Sequence, residues 1–279
     1  MIIECVPNFS EGRDASVISA LTQAARPVLL NTTSDPDHNR TVLTLAGSPH
    51  DVTEAAFRTV RTAAQTIDLT KHSGVHPRLG AADIVPLVPV SSGITLEDCA
   101  KLAHTLGKRI WEELHIPVCF YEAAALRPEC VRLPDIRKNK PAPDLGSAPH
   151  PTAGICIVGA RNFLIAWNIN LRSTDLTVAK AIAKAIRALP GVRSVGLPLS
   201  SRHQVQVSIN LTDFEKTPLH VIFEAVARHC VEMAGVEIAG SELIGMIPAA
   251  ALASSAGHDL HWENFKPELV LENRLCTLN

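Results

Sequence analysis

Three observations predict an α/β (α+β) fold of two successive units, each in the split-βαβ, ferredoxin-like order. Extended runs rich in Val and Ile alternate with Ala- and Leu-rich runs at helical spacing. That alternation gives the order β-α-β-β-α-β twice, on either side of an irregular stretch at 122–151. Hydrophobic residues make up 46% of the chain but aromatics only 4%, so two modest cores must be built from Ala, Val, Leu and Ile. The expected division is 1–150 and 151–279, with mixed sheets whose faces enclose a cleft.

Ile2–Val6 is a short apolar run and reads as a strand, and Asn8–Gly12 as a polar turn. From Arg13 to Ala25, Val17, Ile18, Leu21 and Ala25 recur at helical spacing. A strand begins at Val28–Leu30, the polar loop Asn31–Asn39 follows, and Thr41–Ala46 is extended again. Ser48 caps a helix with Pro49 in its first turn, running to about Ile67. Gly74, Pro77 and Gly80 make a loop of the stretch after Lys71, which feeds an apolar strand at Ile84–Val90. Thr95 and Asp98 form a capping box for a helix to about Leu114. Pro117–Tyr121 ends the first half.

The stretch 122–151 carries clustered charges from Arg127 to Lys140, then the proline-rich PAPDLGSAPHP, and reads as a connection. The second half restarts at Gly154, with a strand at Phe163–Leu171 and a helix capped by Ser173. Val192–Leu199 and Gln204–Leu211 read as strands. In the latter, Val205, Val207 and Ile209 alternate with Gln204, Gln206 and Ser208. A helix follows Thr217-Pro218 to about Ala234, then extended chain at Val236–Ile247 and a short helix near Pro248. The polar strand positions Asn168, Asn170, Gln206 and Asn210 line a ligand cleft or a solvated sheet face.

A formal net charge of −2 gives no general attraction for nucleic acid or membrane, and no apolar run is long enough to span a bilayer. The N-terminus has neither the basic start nor the apolar core of a signal peptide. Seven cysteines without a C-x-x-C pair read as buried thiols in a reducing, cytoplasmic setting. There is no G-x-G-x-x-G, and Gly191 and Gly196 lack the Lys-Ser/Thr that completes a phosphate loop.

The densest chemistry is KHSGVHPRLGAAD, from Lys71 to Asp83. His76 is the candidate acid/base, because imidazole titrates near neutral pH and both takes and gives a proton. Pro77 holds the backbone of His76 extended. A lone loop histidine is equally read as structural. His72 and His76 lie four apart, but the glycine and proline between and beside them oppose a metal-binding helix, so no metal is expected. Asp35, Asp37, Asn39 and Arg40 form a polar constellation, read either as turn chemistry or as a carboxylate that holds a cation.

Seven words in order carry a resemblance: ECVPNFSEGRD (Glu4–Asp14), DPDHNRTV (Asp35–Val42), HPRLGAAD (His76–Asp83), PDLGSAPHPTAG (Pro143–Gly154), GARNFLIAWNINL (Gly159–Leu171), NLTDFEKTPLH (Asn210–His220) and GSELIGMIP (Gly240–Pro248). Together they resemble glutamate formiminotransferase, in the stand-alone form without the cyclodeaminase domain. The resemblance implies transfer of a formimino group from N-formimino-L-glutamate to N5 of tetrahydrofolate, a step of histidine breakdown. It implies tetrahydrofolate as co-substrate, a homodimer, and sheets facing across a folate-binding tunnel. His76 matches the family's proposed acid/base. Thr33 stands where the family carries a candidate catalytic aspartate, so Asp35 is taken for that role. The family's folate segment matches Gly146, Ser147, Ala148, Pro149, His150, Pro151, Thr152, Ala153 and Gly154. Asn8, Asn39, Arg40, Arg78, Arg161, Asn168, Asn170 and Asn210 are the expected substrate contacts, the arginines gripping carboxylates. The competing readings are formyl transfer from N-formylglutamate and folate binding without catalysis.

Overall fold

The computed structural model describes residues 1–74 and 77–276. The chain divides into two compact units, Met1–Asn162 and Phe163–Asn279.

In the first unit the elements are β1 (Ile3–Cys5), β2 (Asn8–Phe9), α1 (Ala15–Ala24), β3 (Leu29–Asp35), β4 (Arg40–Gly47), α2 (Pro49–Thr66), β5 (Ala82–Pro89), α3 (Leu96–Leu114), β6 (Val118–Glu122), α4 (Leu133–Asn139) and β7 (Cys156–Ala160). β1 and β2 act as one interrupted strand. β1 pairs with the distal ends of β4 and β5, and β2 with their proximal ends, all antiparallel. With β3 outside β4, this is the split-βαβ core. Two parallel strands extend it, because β7 pairs with β5 on one side and β6 on the other.

The helix signals translate into caps. Ser48 Oγ accepts the Asp51 N–H at 3.2 Å, and Thr95 with Asp98 forms the capping box. Val17 and Leu21 of α1, Phe57 and Val60 of α2, and Ala103 and Ile110 of α3 pack with Leu43, Leu45, Val85 and Leu87 in one core.

In the first unit the structure differs from the sequence reading at four places. β3 continues through Asp35, so the expected loop Asn31–Asn39 shrinks to the turn at 36–39, because each polar residue from Asn31 to Asp35 pairs with β4. Asn8–Phe9 is paired chain rather than part of a free turn. The connection holds the short helix α4, whose Ile136 packs with Cys119, Tyr121, Cys130 and Ile157. Cys156–Ala160 returns to the first sheet as β7.

The second unit contains β8 (Ile165–Leu171), α5 (Leu176–Ile186), β9 (Val192–Leu199), β10 (Gln204–Leu211), α6 (Leu219–Ala234), β11 (Ile238–Ile244), α7 (Ala249–Ala253) and α8 (Leu271–Cys276). Its sheet runs β11-β8-β10-β9 and is antiparallel throughout, the split-βαβ order. Trp167, Ile169, Val205, Val207 and Ile209 pack beneath α5 and α6, leaving the alternate polar positions on the other face. The cap of α5 is Asp175, which accepts the Thr177 N–H at 2.8 Å, rather than Ser173. No helix among the described residues is long and apolar enough to cross a membrane.

Candidate functional site

The loop between α2 and β5 opens with a single 3-10 turn at Leu69–Lys71. Val75 and His76, and with them the expected acid/base, lie outside the described residues. Their flanks are held by the 36–39 turn. Asn39 adopts a left-handed backbone (φ 47°), which Asn tolerates better than most side chains. Its Oδ1 accepts the Gly12 N–H at 2.8 Å and its Nδ2 donates to Ser73 O at 2.9 Å. One buried amide thus joins the NFSEG segment, the turn and the start of the α2–β5 loop at Ser73. Gly74 is required by close approach, since a Cβ there would meet His38 O at 2.6 Å.

Arg78 donates from Nη1 to Asn39 O at 3.1 Å and from Nη2 to His38 O at 3.0 Å. Nη1 also lies 2.9 Å from His72 Nδ1, while His72 Nε2 lies 3.2 Å from Asn39 O. Nη1 contacts His72 Nε2 as well, so the guanidinium faces both ring nitrogens and opposes a second proton on the ring, leaving it neutral. Burial and the adjacent Arg78 charge lower the His72 pKa, which favours that neutral form. Leu69, His72, Ser73, Gly74, Pro77 and Arg78 line an open depression of about 550 Å³.

Beneath the loop lies a buried ionic network. Asp83 is fully buried. Its Oδ1 accepts the Leu79 N–H at 2.7 Å. Its Oδ2 accepts from Arg40 Nη1 at 3.1 Å and Arg137 Nη2 at 2.6 Å. Arg40 Nε donates to Asn8 Oδ1 at 2.9 Å, and Asn8 Nδ2 donates to Val6 O at 2.8 Å. Burial lowers the Arg40 pKa to about 10, with Asp83 opposing, so the guanidinium stays charged at neutral pH. Asp35 closes its own turn: Oδ1 accepts the His38 N–H at 2.8 Å, and Oδ2 lies 3.8 Å from His38 Nδ1.

The 146–154 segment is stitched to this loop. Leu69 N–H donates to Thr152 O at 2.9 Å, Ala81 N–H to Ala153 O at 2.9 Å, and Ile155 N–H to Leu79 O at 2.8 Å. His150 Nδ1 accepts from the N–H of Thr152 at 3.3 Å and of Ala153 at 3.0 Å, so the ring shapes the turn it sits in. His150 and Gly154 also exchange backbone bonds at 2.9 and 3.0 Å. Ser147, Ala148, Pro149 and Pro151 stay exposed above this anchored base. Arg161 lies apart from the network. Its N–H donates to Leu87 O at 3.0 Å and its Nη1 to Asn162 O at 2.9 Å, and its charge opposes the burial-driven rise of the Tyr121 pKa.

In the second unit a polar row crosses three strands. Gln206 Nε2 donates to Asn170 Oδ1 at 3.3 Å, and Asn170 Nδ2 to Glu242 Oε1 at 3.2 Å. Arg202 Nη1 bridges Glu242 Oε1 and Glu263 Oε2, each at 2.7 Å. Burial raises the Glu242 pKa and Arg202 opposes the rise. Asn168 is buried one register step along, whereas Asn210 is exposed.

Comparison with known proteins is decisive for the family. The description "Formiminotransferase domain, N-terminal subdomain" matches residues 2–161, and "Formiminotransferase domain" matches residues 166–274. The chain belongs to the formiminotransferase family. Among its relatives, glutamate formimidoyltransferase of Streptococcus pyogenes serotype M1 is 41% identical, with 98% of each chain covered. The enzyme of the same name from Thermoplasma acidophilum is 38% identical over 98% of this chain and 97% of its own. Formimidoyltransferase-cyclodeaminase of Mus musculus is 41% identical over 91% of this chain, but only 52% of the mouse protein is covered.

In this formiminotransferase, then, Asn8, Asn39, Arg40 and Arg78 converge around the 72–83 loop, and the Gly146–Gly154 segment is bonded to the same loop. Two participants were missed by sequence reasoning. Asp83 stood in the HPRLGAAD word without a role. Arg137 gave no signal, because its partner lies 54 residues away. One cluster among the described residues gathers potential metal ligands, Cys119, Cys130 and Asp144, all within 4.8 Å. Both Asp144 oxygens are already engaged, by Phe120 N–H at 2.8 Å and Arg127 Nε at 2.9 Å, and burial raises the Cys119 pKa. Those donors do not suit a cation.

Proposed function

We propose that the chain transfers the formimino group of N-formimino-L-glutamate to N5 of tetrahydrofolate, giving 5-formiminotetrahydrofolate and glutamate. The observation that carries this reading is end-to-end similarity to proteins named glutamate formimidoyltransferase, 98% of this chain against 98% of the Streptococcus relative. Family membership implies tetrahydrofolate as the co-substrate. The backbone bonds of Leu69, Leu79 and Ala81 to the 152–155 stretch support it, because they tie the segment proposed for folate to the described flanks of the loop that carries His76 in sequence.

N5 attacks the amidine carbon, forming the new C–N bond and giving up its proton. The bond from that carbon to the glutamate nitrogen then breaks, and the nitrogen takes up a proton. One imidazole serves both transfers, accepting at the first step and donating at the second. His76 is the residue proposed for that role. Arg40 and Arg78 supply positive charge beside the loop for substrate carboxylates. The active species is proposed to be a cytoplasmic homodimer, which sedimentation will show.

The test is an absorbance assay of purified protein with tetrahydrofolate, to which formiminoglutamate is added last. Product forms with wild type and is lost in His76→Ala at unchanged circular dichroism. Equal turnover by the variant removes His76 from the mechanism. No turnover by folded wild type, with formylglutamate active instead, removes the formimino assignment.

A further inference from the structure

The charged connection between β6 and β7 holds α4, and α4 delivers one residue to the buried carboxylate beneath the 72–83 loop. We propose that Arg137 is a positioning residue for the transfer, acting on the H-P-R loop through the Asp83 carboxylate. The proposal rests on the reading of that loop as the site of proton transfer.

Leu79 directly follows the H-P-R triple, and both sides of its backbone are fixed. Its N–H goes to Asp83 Oδ1 at 2.7 Å, and its carbonyl takes the Ile155 N–H at 2.8 Å. The first bond depends on where Asp83 is held. Asp83 is fully buried, and its other oxygen is placed by two guanidiniums, Arg137 making the shorter contact at 2.6 Å against 3.1 Å for Arg40. A purely structural bridge to one carboxylate needs only one cation. A second, partly buried cation on the same oxygen adds repulsion, and Arg137 is one cause of the lowered Arg40 pKa.

Two details separate this arrangement from ordinary bracing. Arg137 Nε is buried without a hydrogen-bond partner among the described residues, a loss of stability tolerated to bring Nη2 onto Asp83. Docking of α4 does not need the charge, because Ile136 is its buried anchor and Lys140 caps it in a left-handed conformation, with its N–H on Ile136 O at 2.8 Å. Arg40 also holds Asn8, so it cannot recentre on Asp83 without releasing a second expected substrate contact. Arg137 lets Arg40 serve both.

The experiment compares Arg137→Gln, Arg137→Lys and the exposed neighbour Lys138→Gln in the full-length protein. Displacement of about 1 Å at a reacting group lowers rate roughly 100-fold, so Arg137→Gln is expected to lose about 10- to 100-fold in kcat. KM for both substrates is expected to change less than kcat, since the Arg137 guanidinium itself touches neither in this scheme and any effect on binding comes only through Arg40 and Asn8. Arg137→Lys restores part of the rate, and Lys138→Gln matches wild type. Hydrogen exchange of the 77–84 stretch, read by mass spectrometry, accelerates at the Leu79 amide in Arg137→Gln. Unchanged kcat, or a lowered melting temperature with unchanged Leu79 exchange, overturns the proposal. If wild type shows no transfer, the functional reading fails by itself. The exchange result then still decides whether Arg137 acts on the loop.

Discussion

Replacing Gly154 by alanine tests whether the 146–154 segment and the α2–β5 loop form one mechanical piece. Gly154 has φ 70°, and an added Cβ would meet Leu79 O at 2.2 Å and Leu69 Cδ1 at 2.8 Å. A non-glycine residue in that left-handed region costs about 1–2 kcal/mol. The leucine methyl can turn aside, but the carbonyl is backbone and must move. Its movement weakens the bond from Ile155 N–H and the neighbouring one from Ala81 N–H to Ala153 O, each worth about 0.5–1.5 kcal/mol. The sum is about 2–5 kcal/mol. For a unit of this size each kcal/mol moves the melting temperature by roughly 2–4 °C, so a mid-range loss shifts the first unit's transition by roughly 7–14 °C. Gly257→Ala is the comparison, because Gly257 has φ 85° with nothing within 4 Å of its Cβ, and only the conformational cost of about 1–2 kcal/mol applies. Thermal melts by circular dichroism measure both. Equal free-energy losses, each converted from the shift of its own unit, refute the reasoning, for they mean that Leu79 yields freely and the two segments are not coupled. If they are coupled, Gly154→Ala also raises KM for tetrahydrofolate.

Three further outcomes follow from the charges. Asp83→Asn leaves the buried Arg40 and the partly buried Arg137 without their carboxylate and is expected to cost about 3–5 kcal/mol by urea titration. His72 has a folded pKa below 6.5, so the unfolded chain binds its proton first as pH falls. Its contribution is therefore complete above pH 6.5 and declines as pH drops towards the folded value. His72→Gln makes stability less dependent on pH in that window, as urea midpoints between pH 7 and 5 will show. Arg202→Gln removes the charge that opposes the raised Glu242 pKa, so the carboxyl titrates higher still. Stability gained by the protonated form is then lost as pH rises through that value, a slope measurable above pH 4.5.

Local chemistry was most legible where a residue acts on its own neighbours. Thr95 and Asp98 announced the start of α3, and the alternation at Gln204–Leu211 gave β10 together with its polar face. Failures came where distant partners decide. Asn31–Asp35 looks like a loop because its side chains are polar, but β4 supplies a ladder that makes it a strand. β7 is five residues buried on both faces, so it has no alternation to read. In α4 only Ile136 is buried, too little for a helical stripe. In the candidate site, Asn39, Arg40 and Arg78 stood out as polar residues crowded at turns. Arg137 sat in a charge run read as a connection between the halves, and nothing along the chain pairs it with Asp83.

The placement of β7 bears on how the first unit comes off the ribosome. β5 and β6 both precede it in the chain, yet neither pairs with the other, and β7 lies between them. A nascent chain that has delivered the α2–β5 loop, β5 and β6 still lacks the strand that joins them. Until about residue 160 emerges, β5 keeps one unpaired edge and β6 has no sheet to join. The Gly146–Gly154 segment is made just before that closing strand, so its bonds to Leu69, Leu79 and Ala81 form as the sheet is completed. The loop proposed for proton transfer and the segment proposed for folate are thus assembled in one late step of synthesis.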